Sequence, residues 1–262
     1  MNRLLKTSLI VFVVSSFALA DEQSNQRREE MAKRIAAIEI DGKNSKETKF
    51  GKQPLLRYSD PTRHITDATV WALGQKGRPQ GIMVLERYEN ENNIEGRSFW
   101  SYEFTVTSPT VAETLQSNQL NWRPSGKQFS WVDIEAKSPS EKKNSRQRQL
   151  KQLARKFQFT EDFNNQQYKL RLMPRPLVQY EDPENGILNG SIFVLAHGTN
   201  AEALLILEAN GKTKEWQAGF ARLGAAALEA KYDKKTVWKV PFGFSRAYMT
   251  SRDFGEQTLA TR

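Results

Sequence analysis

The chain has 262 residues, 38% of them hydrophobic and 26% charged, a formal net charge of +9 and no Cys. That balance supports a buried core and excludes a low-complexity or disordered chain. With no thiol and only His64 and His197 as imidazoles, disulfides, Cys nucleophiles and zinc sites of the usual nitrogen and sulfur type are excluded, so neither metal nor cofactor is expected.

Met1-Asn-Arg-Leu-Leu-Lys6 is basic, Leu9 to Ala18 is mostly apolar, and Ala18-Leu19-Ala20 is a small-x-small site. Together they read as a secretory signal peptide over residues 1–20, which makes the expected localisation exported: periplasmic, envelope-associated or extracellular. The apolar run falls short of the roughly 20 residues a spanning helix needs, so no transmembrane span is expected after cleavage. Loss of Arg3 and Lys6 leaves a net charge of +7, which favours an acidic polymer or an anionic envelope surface as partner. Export places nucleic acid last among anionic partners.

A stretch appears twice. Pro54-Leu-Leu-Arg-Tyr-Ser-Asp-Pro61 returns 122 residues later as Pro176-Leu-Val-Gln-Tyr-Glu-Asp-Pro183. Ahead of the first copy, Met31, Ile35 and Ile38 have helical spacing. Ahead of the second, Ser138-Pro139-Ser140-Glu141 reads as a capping box opening a helix that runs to Lys156. Leu150, Leu153, Ala154 and Phe157 form its apolar stripe. The other face carries Lys142, Lys143, Arg146, Arg148, Lys151 and Arg155 and reads either as an anion-binding ridge or as a solvated helix face.

After each helix, Leu55/Tyr58 and Leu177/Tyr180 suit short strands, and Asp60-Pro61 and Asp182-Pro183 suit turns, because Asp bonds forward to its own backbone and Pro presets φ. Ala68 to Leu73 matches Gly190 to Leu195, and Ile82 to Glu86 matches Leu204 to Glu208. Both pairs are expected to be β-hairpins with both sheet faces covered, since apolar residues fall at successive positions. The spacing then shortens to 116 (Trp100 to Trp216, Phe104 to Phe220, Trp122 to Trp238), and Ala227 to Val240 reads as a closing hairpin. The expected fold is α+β: two related units, 21–137 and 138–262, each one helix plus an antiparallel sheet of about five strands, packed about a pseudo-two-fold.

The run Leu170 to Pro183, with Gly190 to Ala209 and Val237-Trp238, resembles a group of uncharacterised exported bacterial proteins, mainly over Leu170 to Pro241. The resemblance implies export and no particular activity.

Chemistry is sought in matched carboxylates: Glu86 with Glu208, and Glu113 with Glu229. Converging at one site, such a pair would suit a glycoside hydrolase; at strand ends it would be structural. His197, at a hairpin loop, would need a carboxylate or hydroxyl partner to serve as a base. Two classes of function follow, with a purely structural partner in a larger assembly as a third reading. The first is a non-catalytic binding or envelope-associated module with a cationic surface for an acidic partner. The second is a carboxylate-dependent hydrolase acting on an extracellular polymer.

Overall fold

The computed structural model describes residues 22–42, 48–74, 76–89, 98–108, 114–117, 120–122, 129, 131–242 and 259–260. The signal peptide expected over 1–20 lies outside the described residues. The chain is an α+β protein whose described strand pairs are antiparallel. The segment through Ala37 is a compact unit by itself. Its helix over 22–36 (α1) forms where the sequence has helical spacing, and Arg34 bonds Glu30 one turn back through Nε at 3.1 Å and Nη2 at 2.8 Å. Among the described residues no helix is long and apolar enough to cross a membrane.

Among the described residues, the rest of the chain builds four sheets. A small one joins β1 (Glu39–Asp41), β6 (Thr114–Ser117) and β7 (Leu120–Trp122). The first large sheet runs β18 (Leu259–Ala260), β5 (Ser98–Val106), β4 (Gly81–Glu89), β3 (Ile65–Leu73), β2 (Leu56–Asp60). The second runs β11 (Arg171–Leu172), β13 (Ile187–His197), β14 (Asn200–Asn210), β15 (Trp216–Arg222), β8 (Trp131–Ile134), with β12 (Val178–Asp182) also on β13. A separate four-stranded sheet joins β10 (Gln166–Lys169), β9 (Phe157–Phe163), β16 (Ala227–Tyr232) and β17 (Lys235–Val240). The strands after the second helix are therefore divided between two sheets instead of forming one sheet of about five.

The hairpins expected from the repeat are present, and their details recur at the same spacing. Tyr58 stands opposite Ala68 and Ala68 opposite Glu86; Tyr180 stands opposite Gly190 and Gly190 opposite Glu208. Bulges fall between Tyr58 and Asp60 and between Tyr180 and Asp182, then between Ile65 and Asp67 and between Ile187 and Asn189. Both Asp side chains make the expected forward bond: Asp60 Oδ1 accepts from Thr62 N at 3.1 Å, and Asp182 Oδ1 from Asn185 N at 3.3 Å. The outermost strands come from elsewhere in the chain. β8 pairs Ile134 with Trp216, and β18 pairs Leu259 with Trp100.

Both faces of the second sheet are covered, which is why β14 is buried at every residue but Asn210. Ala203, Leu205, Leu207 and Ala209, with Phe193, Leu195, Trp216, Ala218 and Phe220, join one core with Leu150, Leu153 and Ala154 of the second helix and with Phe159, Leu228 and Ala230 of the four-stranded sheet. Trp238 stacks on Phe220 there, ring centroids 5.7 Å apart. Trp100 and Trp216 are 1% exposed, so both are core residues; the Trp122 side chain lies outside the described residues. Leu204 and Ile206 point to the opposite face and are equally buried.

The second helix (α2) starts later than the sequence suggests, at Lys143, and runs to Ala154. The capping box does not form: Lys142 is the cap and makes no side-chain bond. Arg146 is the reason. It turns inward, donates through Nη1 to the carbonyls of Ser140 (3.0 Å) and Glu141 (2.6 Å), and through Nε to Asn189 Oδ1 at 2.5 Å. Gln149 holds the same segment by accepting from Ser140 N (2.9 Å) and donating to Ser138 O (3.1 Å). Residues 138–142 are thereby pinned across the helix start and cannot wind into it.

Candidate functional site

Glu86 and Glu208 sit at matched places on β4 and β14, and both are buried. Each is closed off by its own partners. Glu86 accepts from Tyr58 Oη and from Tyr88 Oη, both at 2.7 Å. Glu208 accepts from Tyr180 Oη at 2.7 Å and from Arg78 in a fork, Nε at 2.6 Å and Nη2 at 3.0 Å. Among the described residues they share no hydrogen-bonding partner. Burial pushes the Glu86 carboxyl up, against the two tyrosine hydroxyls and the Arg63 charge, which pull it down. Burial and the adjacent carboxylates push all three tyrosines upward, so their hydroxyls stay donors.

Glu113 lies outside the described residues. Glu229 is on the rim of the β16–β17 hairpin, where it accepts from Thr236 Oγ1 at 2.5 Å beside Lys231 and is held below the usual carboxylate range by that bond. His197 acquires the carboxylate a base would need: its Nδ1 lies 3.1 Å from Glu161 Oε1. The same nitrogen is 2.8 Å from Arg63 Nη2, so it accepts from Arg63 in one tautomer and donates to Glu161 in the other. The Tyr168 ring caps the imidazole at 4.3 Å between centroids.

Around His197 is a cluster that repeat-matching passes over. Arg63 Nη1 bonds Asp60 Oδ2 at 2.8 Å, while Nη2 reaches Glu161 Oε1 at 3.4 Å and Glu202 Oε1 at 3.5 Å. Asn200 Nδ2 donates to Glu202 Oε1 at 2.8 Å. Burial, then the charge of Glu161, pushes the Glu202 carboxyl up to about 8. At the repeat spacing Glu161 matches Glu39 and Asp60 matches Asp182, but Glu202 matches Gln80 and His197 matches Gln75, so matched positions bring up two of these acids without the groups they meet. Among the described residues no three His, Asp or Glu side chains are arranged to hold a metal ion.

The cations of α2 separate into two kinds. Lys142, Arg148, Lys151 and Arg155 are exposed, and Lys143 is exposed but paired with Glu181 at 2.8 Å. Arg146 is buried with its donors committed to Ser140, Glu141 and Asn189, so it belongs to the framework and not to a solvated ridge. Glu181 also lines a cleft of about 590 Å³ formed by the segment ahead of β2, the β3–β4 loop and the edge strand β12. Lys52, Gln53, Leu55, Val178 and Gln179 share that lining, and Leu55 is 40% exposed at its lip. The cleft thus reaches the N-terminal end of the cationic helix through the Glu181–Lys143 pair. No protein-family model, no curated protein and no solved structure matches this chain.

Proposed function

We propose that this is an exported, non-catalytic binding module for an acidic partner, which it holds at the cleft and along the adjoining α2 face. The observation that carries this reading is the continuity of the cleft with α2: Lys52 lies in the lining, Lys143 at the rim, and Lys142, Arg148, Lys151 and Arg155 beyond it with no acid in the first turn of the helix. The carboxylates considered for hydrolysis support it from the other side. Glu86 and Glu208 are enclosed by tyrosine and arginine donors, and neither lines the cleft.

The reading includes two halves related by a pseudo-two-fold, with the signal peptide removed on export. Reciprocal docking supports the symmetry. The β3–β4 tip lies against the end of β12, where a Cβ on Gly77 would come within 2.5 Å of Asp182 Oδ2. The β13–β14 tip lies against the end of β2, where Thr199 Oγ1 donates to Ser59 O at 2.6 Å. Gly77 and Thr199 are 122 residues apart, the repeat spacing.

The test is retention of the mature protein on an anionic polysaccharide matrix. Retention is expected to fall steeply between low and physiological salt and to be lost when Lys142, Lys143, Arg148 and Lys151 are all changed to Glu, with Arg146 left in place. Equal elution of wild type and variant would reject this reading. Turnover of an extracellular polymer that Glu208→Gln abolishes would instead establish the carboxylate-dependent hydrolase.

A further inference from the structure

The geometry points to a proton-uptake site at Glu202, beside Glu161, that latches the corner formed by β2 and the short 3-10 turn Pro61–Arg63 onto the second and four-stranded sheets. Four remote segments meet there: Asp60 and Arg63 from the corner, Glu161 from β9, His197 from the end of β13, and Asn200 and Glu202 from β14. The Glu161 and Glu202 side chains are 1% and 5% exposed.

The charge inventory is unbalanced. Three carboxylates contact one guanidinium, the only permanent cation of the cluster among the described residues, and His197 adds a second positive charge only when protonated. Neighbouring elements do not correct this. Glu86 on β4 adds to the negative field at Glu202. Tyr88 is bound to Glu86, and Tyr168 covers the imidazole. Arg222 on β15 directs its donors to the carbonyls of Gly224 (2.7 Å), Ala226 (2.8 Å) and Pro241 (3.2 Å).

The cluster is also short of hydrogen-bond donors, since Glu161 Oε2 and Asn200 Oδ1 are buried with none opposite them among the described residues. A carboxylic acid is itself a donor, so one proton on Glu202 reduces both the charge excess and the donor deficit. Losing it places three anions on Arg63, and the corner keeps the Thr199–Ser59 hydrogen bond to the second sheet.

The direction with pH follows. Glu202 is raised in the folded chain, so the folded state binds more protons than the unfolded one between the ordinary value of 4.5 and about 8. The latch is fully closed below that window and loosens as pH rises through its upper end.

Hydrogen exchange at the backbone amides of Tyr58, Ser59, Asp60, Thr62 and Arg63, corrected for intrinsic pH dependence, tests this on the whole protein without any ligand. Local opening in the wild type is expected to rise about tenfold or more from pH 6 to pH 9, and Glu202→Gln, which mimics the protonated acid, should stay closed at both. A Glu202→Gln variant with the wild-type pH dependence overturns the assignment, as does His197→Ala abolishing that dependence, since the imidazole would then be the sensor. If Glu202→Gln does not fold, carbon-13 titration of the wild-type carboxyl groups decides. A Glu202 midpoint well above the ordinary carboxylate range supports the site, and one inside that range overturns it.

Discussion

Tyr58, Ala68 and Glu86 in the first large sheet, and Tyr180, Gly190 and Glu208 in the second, occupy the same places in the same register, with a tyrosine hydroxyl on a buried carboxylate in each. Two details differ. The central residue is Ala in one and Gly in the other, and the second partner of the carboxylate is a tyrosine in one and an arginine in the other. Glu86 is completed by Tyr88 of its own strand, whereas Glu208 is completed by Arg78, which crosses from the β3–β4 loop of the first sheet and lies over Trp131 at 4.8 Å. Local pairing thus sets where the acid stands, and in the second sheet a remote loop sets its electrostatic company.

The strongest way to break the comparison is Arg78→Ala. It leaves Glu208 buried with Tyr180 alone, and a cost of about 3–5 kcal/mol is expected in urea unfolding at neutral pH. Adding Glu208→Gln should recover part of that loss by removing the uncompensated charge. A cost no larger than a surface substitution would show that the fork contributes nothing.

The next effect tests the small residue. A Cβ at Gly190 would collide with the Tyr180 ring, so Gly190→Ala must displace that ring from Glu208 and is expected to cost about 1–3 kcal/mol. The first sheet carries Ala68 at this place already, and Ala68→Gly should cost only about 1 kcal/mol through strand propensity. Equal effects of the two changes would mean that the tyrosines are seated alike.

The smallest effect tests Glu86 by pH. Glu86 is raised by burial in the folded chain, so its contribution is complete below the ordinary carboxylate range and is lost as pH rises through its folded value. Glu86→Gln should change stability by under about 1 kcal/mol at acid pH and should flatten part of the fall toward alkaline pH. Parallel stability curves for wild type and variant would remove Glu86 from the set of groups that titrate on unfolding.

Much of the fold is legible in the residues because its signals are local. The paired Pro-Leu-x-x-Tyr-x-Asp-Pro stretches locate the β2 and β12 edges and their turns, and the apolar runs locate β3, β4, β13 and β14. The turn at Asp233 and Lys234, both with positive φ, closes the β16–β17 hairpin where the residues suggest it. A signal of the same kind marks a hairpin that the repeat does not point to: Asn164 and Asn165 also have positive φ and join β9 to β10. The start of α2 is misleading in the sequence because Ser138 to Glu141 fits a cap by composition, while Arg146 and Gln149 use the same backbone groups for another purpose.

The site divides along the same line. Residue types and spacing point to Glu86, Glu208, His197 and the α2 cations, but not to the company each keeps. Glu161 meets His197 from 36 positions away, and Arg63 meets it from 134, with nothing in either neighbourhood to announce the contact. Arg146 and Arg148 look alike in the chain and differ completely in the fold, one bound to Asn189 and the other in solvent.

By itself, the sequence determined the matched hairpins, their turns and their register, since these depend on neighbours a few residues apart and on the pattern along one strand. Only the tertiary structure decided which carboxylates are buried and by what they are met, which cations lie in solvent and where the cleft opens. Those properties follow from burial and from charges brought together by remote segments, and a field of that kind exists only once the sheets have packed.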